Sequence, residues 1–212
     1  PVGFRNPGYL YKLGVPSYWG PVGGFQYINL KMAFKSSKMY CFSSVIRNML
    51  TYFNARSSKV KDAITGFTTM SFATQTNLES FAAVYSVKGP VLSDQACLEN
   101  ISSIVNENYT KNELSVVWCG SIDARKNISL LIDISKRLKD RASGVSITVL
   151  GAGKLLDESV KRCKRFGLDN IKFKGRVSRD QVDRELCKSA VILFTSLSEA
   201  NTSALFEGIQ RG

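Results

Sequence analysis

The chain has 212 residues, of which 44% are hydrophobic and 22% charged, with a formal net charge of +12 and no histidine. Such a balance belongs to an ordinary globular protein of one large or two small domains. It lacks the ~18 uninterrupted apolar residues of a membrane span, and its first residues carry no signal-peptide pattern. Without histidine these residues hold no Ser-His-Asp triad, no His-ligated metal site and no imidazole base, which leaves carboxylates, cations and backbone amides for chemistry.

In chain order, the sequence opens at Pro1 inside what reads as a loop. Pro16–Trp19 is predicted as a short strand running into Gly20-Pro21-Val22-Gly23-Gly24. Helical spacing covers roughly 28–56. Met70–Ala73 reads as a strand, Thr76 with Glu79 as a capping box opening a helix to about Tyr85, and Pro90–Leu92 as a further strand. Residues 94–113 are polar and read as a linker. From Leu114 strand and helix alternate: strand Leu114–Cys119, helix 127–142, strand Val145–Leu150, a basic helix to about Phe166, and strand Ile171–Phe173. A helix capped by Ser178 and Gln181 then runs to near Lys188, followed by strand Val191–Phe194 and helix Thr202–Arg211. The helix 127–142 sets Ile128, Leu131, Ile132, Ile134, Ser135 and Leu138 near one stripe. Such alternation implies βαβ crossovers and a parallel sheet, whose ligands bind beyond the carboxyl ends of the strands.

Five cysteines (Cys41, Cys97, Cys119, Cys163 and Cys187) lie far apart with no C-x-x-C, so they read as reduced, largely buried thiols. The charge is uneven. Residues 1–61 hold nine Lys/Arg and no acid, whereas the remainder holds 20 Lys/Arg against 17 acids. Three readings of the basic arm stand side by side: a nucleic-acid surface, an anionic membrane surface, or a solvated basic face. Lys31, Lys35 and Lys38 recur at helical spacing among Met32, Phe34, Met39, Tyr40 and Phe42, a pattern that fits a helix lying on an anionic leaflet.

Three stretches after strands carry candidate chemistry. Glu199 stands in a loop and Glu207 in the second turn of the helix that follows, so both can face one cleft beside the helix N-terminal amides. Amides and the helix dipole suit a phosphate, and carboxylates suit sugar hydroxyls. Gly120 opens a basic loop with Arg125 and Lys126, a fork and a point charge able to reach a diphosphate. Gly151 and Gly153 allow close backbone approach, but without a third glycine they do not make a dinucleotide fingerprint.

Together these stretches resemble the donor domain of the family 4 glycosyltransferases. "VVWCGSIDARKNISLLIDISKRL" is similar to that family's opening strand, glycine, basic loop and helix, and "ITVLGAGKLLDESVKRCKRFGLDNIKFKGRVSRDQV" to its second block. "LFTSLSEANTSALFEGIQRG" carries an E-x7-E pattern as Glu199 and Glu207. Upstream, "FRNPGYLYKLGVPSYWGPVGGF" resembles the acceptor-domain segment of members that build bacterial surface polysaccharides. The resemblance implies an α/β chain of the GT-B kind with two Rossmann-like domains, both truncated here. Residues 1–93 would be the end of the acceptor domain, 94–113 the linker and 114–212 the incomplete nucleotide-sugar domain.

It implies sugar transfer from a nucleoside diphosphate with retention at the anomeric carbon, by front-face attack assisted by the leaving phosphate. Lys126, helped by Arg125, would stabilise the leaving diphosphate. Glu199 would bind the donor sugar and Glu207 the ribose. Arg176 and Val177 would meet the base, and Asn201, Thr202 and Ser203 the sugar and phosphates. Gly120, Gly151 and Gly153 would line the donor side of the cleft, Gly23 and Gly24 the acceptor side. No cofactor and no metal are expected. The expected partners are a nucleotide sugar, a glycan or lipid-linked acceptor and an anionic membrane touched peripherally from the cytoplasm, with no nucleic acid. The family usually carries Arg or Lys directly after the first glycine. Here Ser121 stands there, which leaves the cationic clamp to Arg125 and Lys126; Ala200 likewise replaces a frequent glycine. Both chain ends are read as truncations, so the chain itself is expected to be inactive. The competing readings are a degenerate sugar-nucleotide-binding module, a sugar-nucleotide epimerase of the same architecture and, on charge alone, a nucleic-acid binder.

Overall fold

The alternation of apolar strands with amphipathic helices produces two parallel sheets in the computed structural model of the protein. The structure describes residues 2–94, 114–141, 144–199 and 203–210. Their backbone contacts divide into two units. One takes the described residues of Pro1–Leu30, Phe42–Ala96 and Ser198–Thr202, the other those of Lys31–Cys41, Cys97–Leu197 and Ser203–Gly212.

The first unit is built on β1 (Val2–Gly3), β2 (Tyr18–Gly23) and β3 (Thr69–Phe72), parallel and in that order. Its core is aromatic. Phe81 stands edge-on to Phe25 and Phe4 at centroid distances of 4.9 and 5.9 Å, with Trp19 stacked on Phe67 at 5.5 Å. Edge-to-face packing of this kind adds to what area burial alone supplies. The helices are α1 (Leu30–Ser36), α2 (Lys38–Ala55), α3 (Ser58–Gly66) and α4 (Gln75–Tyr85); α1 and the first residues of α2 group with the second unit. Asn77 of α4 is fully buried because its carbonyl oxygen accepts from Phe25 N at 3.0 Å, which satisfies a polar group that burial would otherwise penalise.

The second unit carries β4 (Leu114–Cys119), β5 (Val145–Leu150), β6 (Ile171–Gly175) and β7 (Val191–Ile192), all parallel in the order β6-β5-β4-β7. The helices α5 (Ile128–Arg141), α6 (Leu156–Arg165), α7 (Arg179–Lys188) and α8 (Ser203–Gln210) alternate with them. Successive side chains of a strand point to opposite faces, and β4 obeys this closely. Val116 and Trp118 join a cluster with Ile128, Leu131 and Ile132 of α5, whereas Val117 joins Leu150 and Leu186 on the other side. A strand buried on both faces needs the near-continuous apolar run that Leu114–Cys119 supplies.

Several expectations are corrected. The helix opening near residue 75 is capped by Thr74, whose side chain accepts from Asn77 N, rather than by Thr76. The strand expected at Pro16–Trp19 is β2, Tyr18–Gly23, and so runs on past Trp19: a Cβ on Gly20 would collide with Ser71 of the adjacent strand, so glycine is what lets the strands close up. The strand at 191 stops at Ile192, and Pro90–Leu92 contributes one isolated bridge, Val91 with Phe72. The expected helical tract of 28–56 breaks at Ser37. Helix α3 was not foreseen. Most of the expected linker, with Cys97, lies outside the described residues. Of the thiols, Cys163 is buried while Cys41, Cys119 and Cys187 are half-buried, which is less than the sequence reading expected.

Candidate functional site

The carboxyl ends of β4, β5 and β6 stand side by side, each followed by or ending in a glycine: Cys119 pairs with Leu150, and Leu150 with Gly175. Gly120 N donates to Leu150 O at 3.0 Å and Gly151 N to Gly175 O at 2.8 Å, so the three turns are laced across one rim. Gly175 adopts φ +69°, a left-handed conformation in which a Cβ would be strained. The room at Gly151 and Gly153 is taken by neighbouring backbone. A Cβ on Gly151 would collide with Gly120 O, and one on Gly153 with Ile122 O. Their smallness serves loop-on-loop packing, which is the physical reason for glycine at both positions.

The basic loop between β4 and α5 is pinned from several directions. Asp123 Oδ1 accepts from Lys126 N at 2.9 Å, an Asx-type turn. Asn127 takes φ +52°, a left-handed conformation that Asn tolerates well. Thr195, just past β7, donates its hydroxyl to Lys126 O at 2.6 Å and accepts from Trp118 Nε1 at 3.0 Å. Leu197 N donates to Arg125 O at 2.9 Å, and Ser36 Oγ of α1 to Ala124 O at 2.7 Å. Lys126 is therefore held on a stiff loop. Its residue is only 8% exposed, and its stem runs over Gly120, where a Cβ would stand 3.4 Å from Lys126 Cε. The side chain thus lies along the rim at the end of β4.

Glu207 belongs to α8, whose Gly208 packs on Ile192 of β7, the strand beside β4. Its side chain is 17% exposed, and Oε1 accepts from Arg179 Nη1 at 2.8 Å, while Arg179 Nε lies 3.4 Å from Asp183 Oδ1. The Glu207 hydrogen bond, ahead of the nearby carboxylate charges, raises the Arg179 guanidinium above its ordinary value. Burial pushes the Cys119 thiol up, Glu207 pushes it further, and Lys126 and Arg179 oppose them. One half-buried sulfur is therefore within electrostatic reach of a lysine, a glutamate and an arginine of the same unit.

The other expected residues fall as follows. Arg125 is half-buried in the pinned loop; Ser121 and Arg176 are exposed; Val177 packs against the cluster of Val117, Leu150 and Leu186. Glu199 is half-buried and groups with the first unit, as do Gly23 at the end of β2 and Gly24 at φ +85°. Asn201 and Thr202 lie outside the described residues, and Ser203 is described only as the backbone that opens α8. Arg179, Thr195 and Trp118 were missed by sequence reasoning. The first residue of a capped helix, a lone threonine and a strand tryptophan carry no signal of a shared network until the sheet brings them together. Among the described residues no group of three or more His, Cys, Asp or Glu side chains is placed to hold a metal ion, and no helix is long and apolar enough to cross a membrane.

Residues 101–212 match the sequence family described as "Glycosyl transferases group 1". No curated protein sequence matches the chain. Among solved structures, the lipopolysaccharide outer core galactosyltransferase WaaB in its apo form is similar over 96% of this chain and 56% of its own, at 14% identity and TM-score 0.59. TarM of S. aureus, as a mutant in complex with fondaparinux, alpha-GlcNAc-glycerol and UDP, is similar over 73% of this chain and 31% of its own, at 17% identity and TM-score 0.56. The pneumococcal O-GlcNAc transferase GtfA, in complex with UDP and GlcNAc, is similar over 70% and 29%, at 16% identity and TM-score 0.53. The chain spans about a third of the length of TarM and GtfA. The likeness is one of fold, the GT-B arrangement of Rossmann-like parallel sheets.

Proposed function

The chain belongs to the group 1 glycosyl transferases, and from that membership we propose that it is part of a retaining family 4 enzyme that transfers a sugar from a nucleoside diphosphate to a glycan acceptor. The observation that carries the reading is the Lys126 side chain lying over Gly120 at the carboxyl end of β4, with the Arg179–Glu207 pair of α7 and α8 in the same unit, where parallel α/β sheets bind their ligands.

In this reading residues 114–212 take the nucleotide sugar and residues 1–93 face the acceptor. Lys126, with Arg125, stabilises the charge that gathers on the diphosphate as the anomeric C–O bond breaks. The acceptor oxygen attacks from the same face and its proton passes to the departing phosphate oxygen, so configuration is retained and no metal is required. Glu207 of the E-x7-E pair accepts from the ribose hydroxyls and Glu199 from those of the donor sugar. Arg176 and Val177 meet the base, and the amides of Asn201, Thr202 and Ser203 meet the sugar phosphates. The acceptor is lipid-linked, and the chain reaches it by peripheral contact with an anionic membrane.

The TarM and GtfA structures are both complexes with UDP, so calorimetry with UDP-sugars, and with GDP-sugars in parallel, at ~0.15 M salt is the direct test. Binding is expected, and Lys126→Ala should weaken it roughly tenfold to hundredfold, the range for a lost charge-assisted hydrogen bond. Binding of oligonucleotides alone would overturn the reading and favour the basic arm as a nucleic-acid surface. A non-catalytic sugar-nucleotide module is favoured by one observation, the exposed Ser121 after the first glycine. It differs in having no turnover for Lys126→Ala to abolish in a longer protein.

A further inference from the structure

Beside the loop that carries Lys126, the second unit holds a crevice of about 220 Å³, lined from α1, α5, α6 and the residues next to them. Two features tie it to that loop. Ser36 Oγ donates to Ala124 O at 2.7 Å, and Ile128 follows Lys126 by two residues. The apolar lining is Ile128 and Ile132, both buried, and four serines stand around them: Ser36, Ser37, Ser129 and Ser159. Ser159 is the telling member. It is 3% exposed, and among the described residues no group bonds its hydroxyl. Buried polar groups are ordinarily satisfied, so a hydroxyl left over in the wall of a crevice is open to whatever occupies it.

We propose that this crevice is a saccharide subsite, holding one neutral sugar ring of the acceptor glycan. A sugar ring combines C–H groups with hydroxyls that both donate and accept, and the lining answers each. Ile128 and Ile132 offer carbon to the C–H groups. Ser36 Oγ, already donating to Ala124 O, keeps a lone pair to accept with; Ser37 Oγ, accepting from Tyr40 N at 3.4 Å, keeps its O–H to donate. Charge sets the ring as neutral. Arg162, the cation of the lining, is engaged by Asp133 at 2.7 Å, and the exposed Glu158 adds a carboxylate. The start of α5 contributes a partial positive charge, but a full negative one opposes it, which disfavours a phosphate and favours hydroxyls that a carboxylate can bind. A purely apolar ligand would strand the Ser159 hydroxyl. Ser36 and Ser37 also come from residues 1–93, the stretch assigned to the acceptor.

That the ring belongs to an acceptor rests on the proposed sugar transfer; that the crevice binds a sugar does not, and its test contains no nucleotide. The methyl glycosides of glucose, galactose and N-acetylglucosamine are titrated into the full chain and followed by saturation-transfer NMR, with inorganic phosphate as the anionic probe. At least one glycoside should bind with a dissociation constant on the order of 1–10 mM, as suits a single ring. Ser159→Ala should weaken it about fivefold and leave the melting temperature unchanged, because that hydroxyl bonds nothing in the free chain. Ser129→Leu puts a larger side chain into the lining and should abolish binding. Calorimetry with UDP-sugars should be the same in both variants as in the parent. Failure of all three glycosides to bind, or unchanged glycoside binding in either variant, overturns the proposal. So does phosphate binding without glycoside binding, which would make the crevice an anion site. Should Ser129→Leu misfold, Ser159→Ala decides alone. Glycoside binding by a chain that takes no UDP-sugar or GDP-sugar would support the crevice as a saccharide site and sink the transfer reading instead.

Discussion

Arg179 Nη1 donates to Glu207 Oε1 at 2.8 Å, tying the first residue of α7 to the middle of α8. Glu207 is the more enclosed partner, with a side chain 17% exposed against 56% for Arg179. The guanidinium therefore decides where the carboxylate points more than it holds the fold together. An ion pair this open is worth less than about 1 kcal/mol to stability. Arg179→Ala is expected to leave the melting temperature nearly unchanged and to weaken UDP-sugar binding about tenfold, with Arg179→Lys recovering part of the loss. Calorimetry beside a thermal melt separates the outcomes: a lowered melting temperature with unchanged affinity would make Arg179 a structural residue only.

Gly151 is the point where two loops come closest. A Cβ there would meet the carbonyl oxygen of Gly120, a backbone atom that cannot swing aside, and φ of +143° disfavours any L side chain. Gly151→Ala should cost about 2 kcal/mol or more, read as a lowered urea midpoint. Gly167→Ala is the comparison. It too has positive φ, +60°, but nothing lies near its added Cβ, so only the backbone penalty remains.

Much of the second unit was legible because local and global signals agree there. Ser178 and Gln181 announce a capping box, and the structure has both of its hydrogen bonds. The stripe Ile128, Leu131, Ile132 and Ser135 is the buried face of α5. The first unit misled where tertiary context overrides the local pattern. Gly20 resembles loop sequence until Ser71 of the neighbouring strand explains it. Helix α3 is short and polar and starts from Ser57 with no acid in its first turn, so its signal falls below that of a loop. Periodicity recognised α2 as a helix, yet it says only that one face is apolar, not which way that face turns. Lys126 and Glu207 were visible as types in a pattern, whereas the neighbours that fix them, Thr195 under the Lys126 loop and Arg179 beside Glu207, are products of the tertiary fold.

Stability should fall in alkaline solution through two thiols. Burial raises both Cys119 and Cys163 above the ordinary thiol value of ~8.5, with nearby cations only partly opposing it. The folded chain therefore favours the neutral thiol. This stabilisation is complete below ~8.5 and is lost as pH rises through the higher folded values. Burial likewise raises Tyr85, which adds a second decline at still higher pH. Thermal melts from about pH 7.5 to 10 should show the melting temperature dropping. Cys163→Ala should flatten the first part of that slope, and an unchanged slope in that variant would contradict the assignment.

Thr195 joins the interior of the second unit to its rim. Its hydroxyl accepts from Trp118 Nε1 at 3.0 Å and donates to Lys126 O at 2.6 Å, and both Thr195 and Trp118 are buried. Valine fills the same space without the oxygen, so Thr195→Val removes both hydrogen bonds and leaves an indole N–H and a carbonyl in an apolar setting. Each such orphan costs about 1–3 kcal/mol. The stability loss should therefore exceed that of an ordinary isosteric change, and Thr195→Ser, which keeps the hydroxyl, should restore most of it. The same bond fixes the loop that carries Lys126. A Thr195→Val chain that is still folded, judged by its far-ultraviolet spectrum, should also bind UDP-sugars several-fold more weakly. Full affinity in that variant would mean that Lys126 is positioned by Asp123 and Leu197 alone.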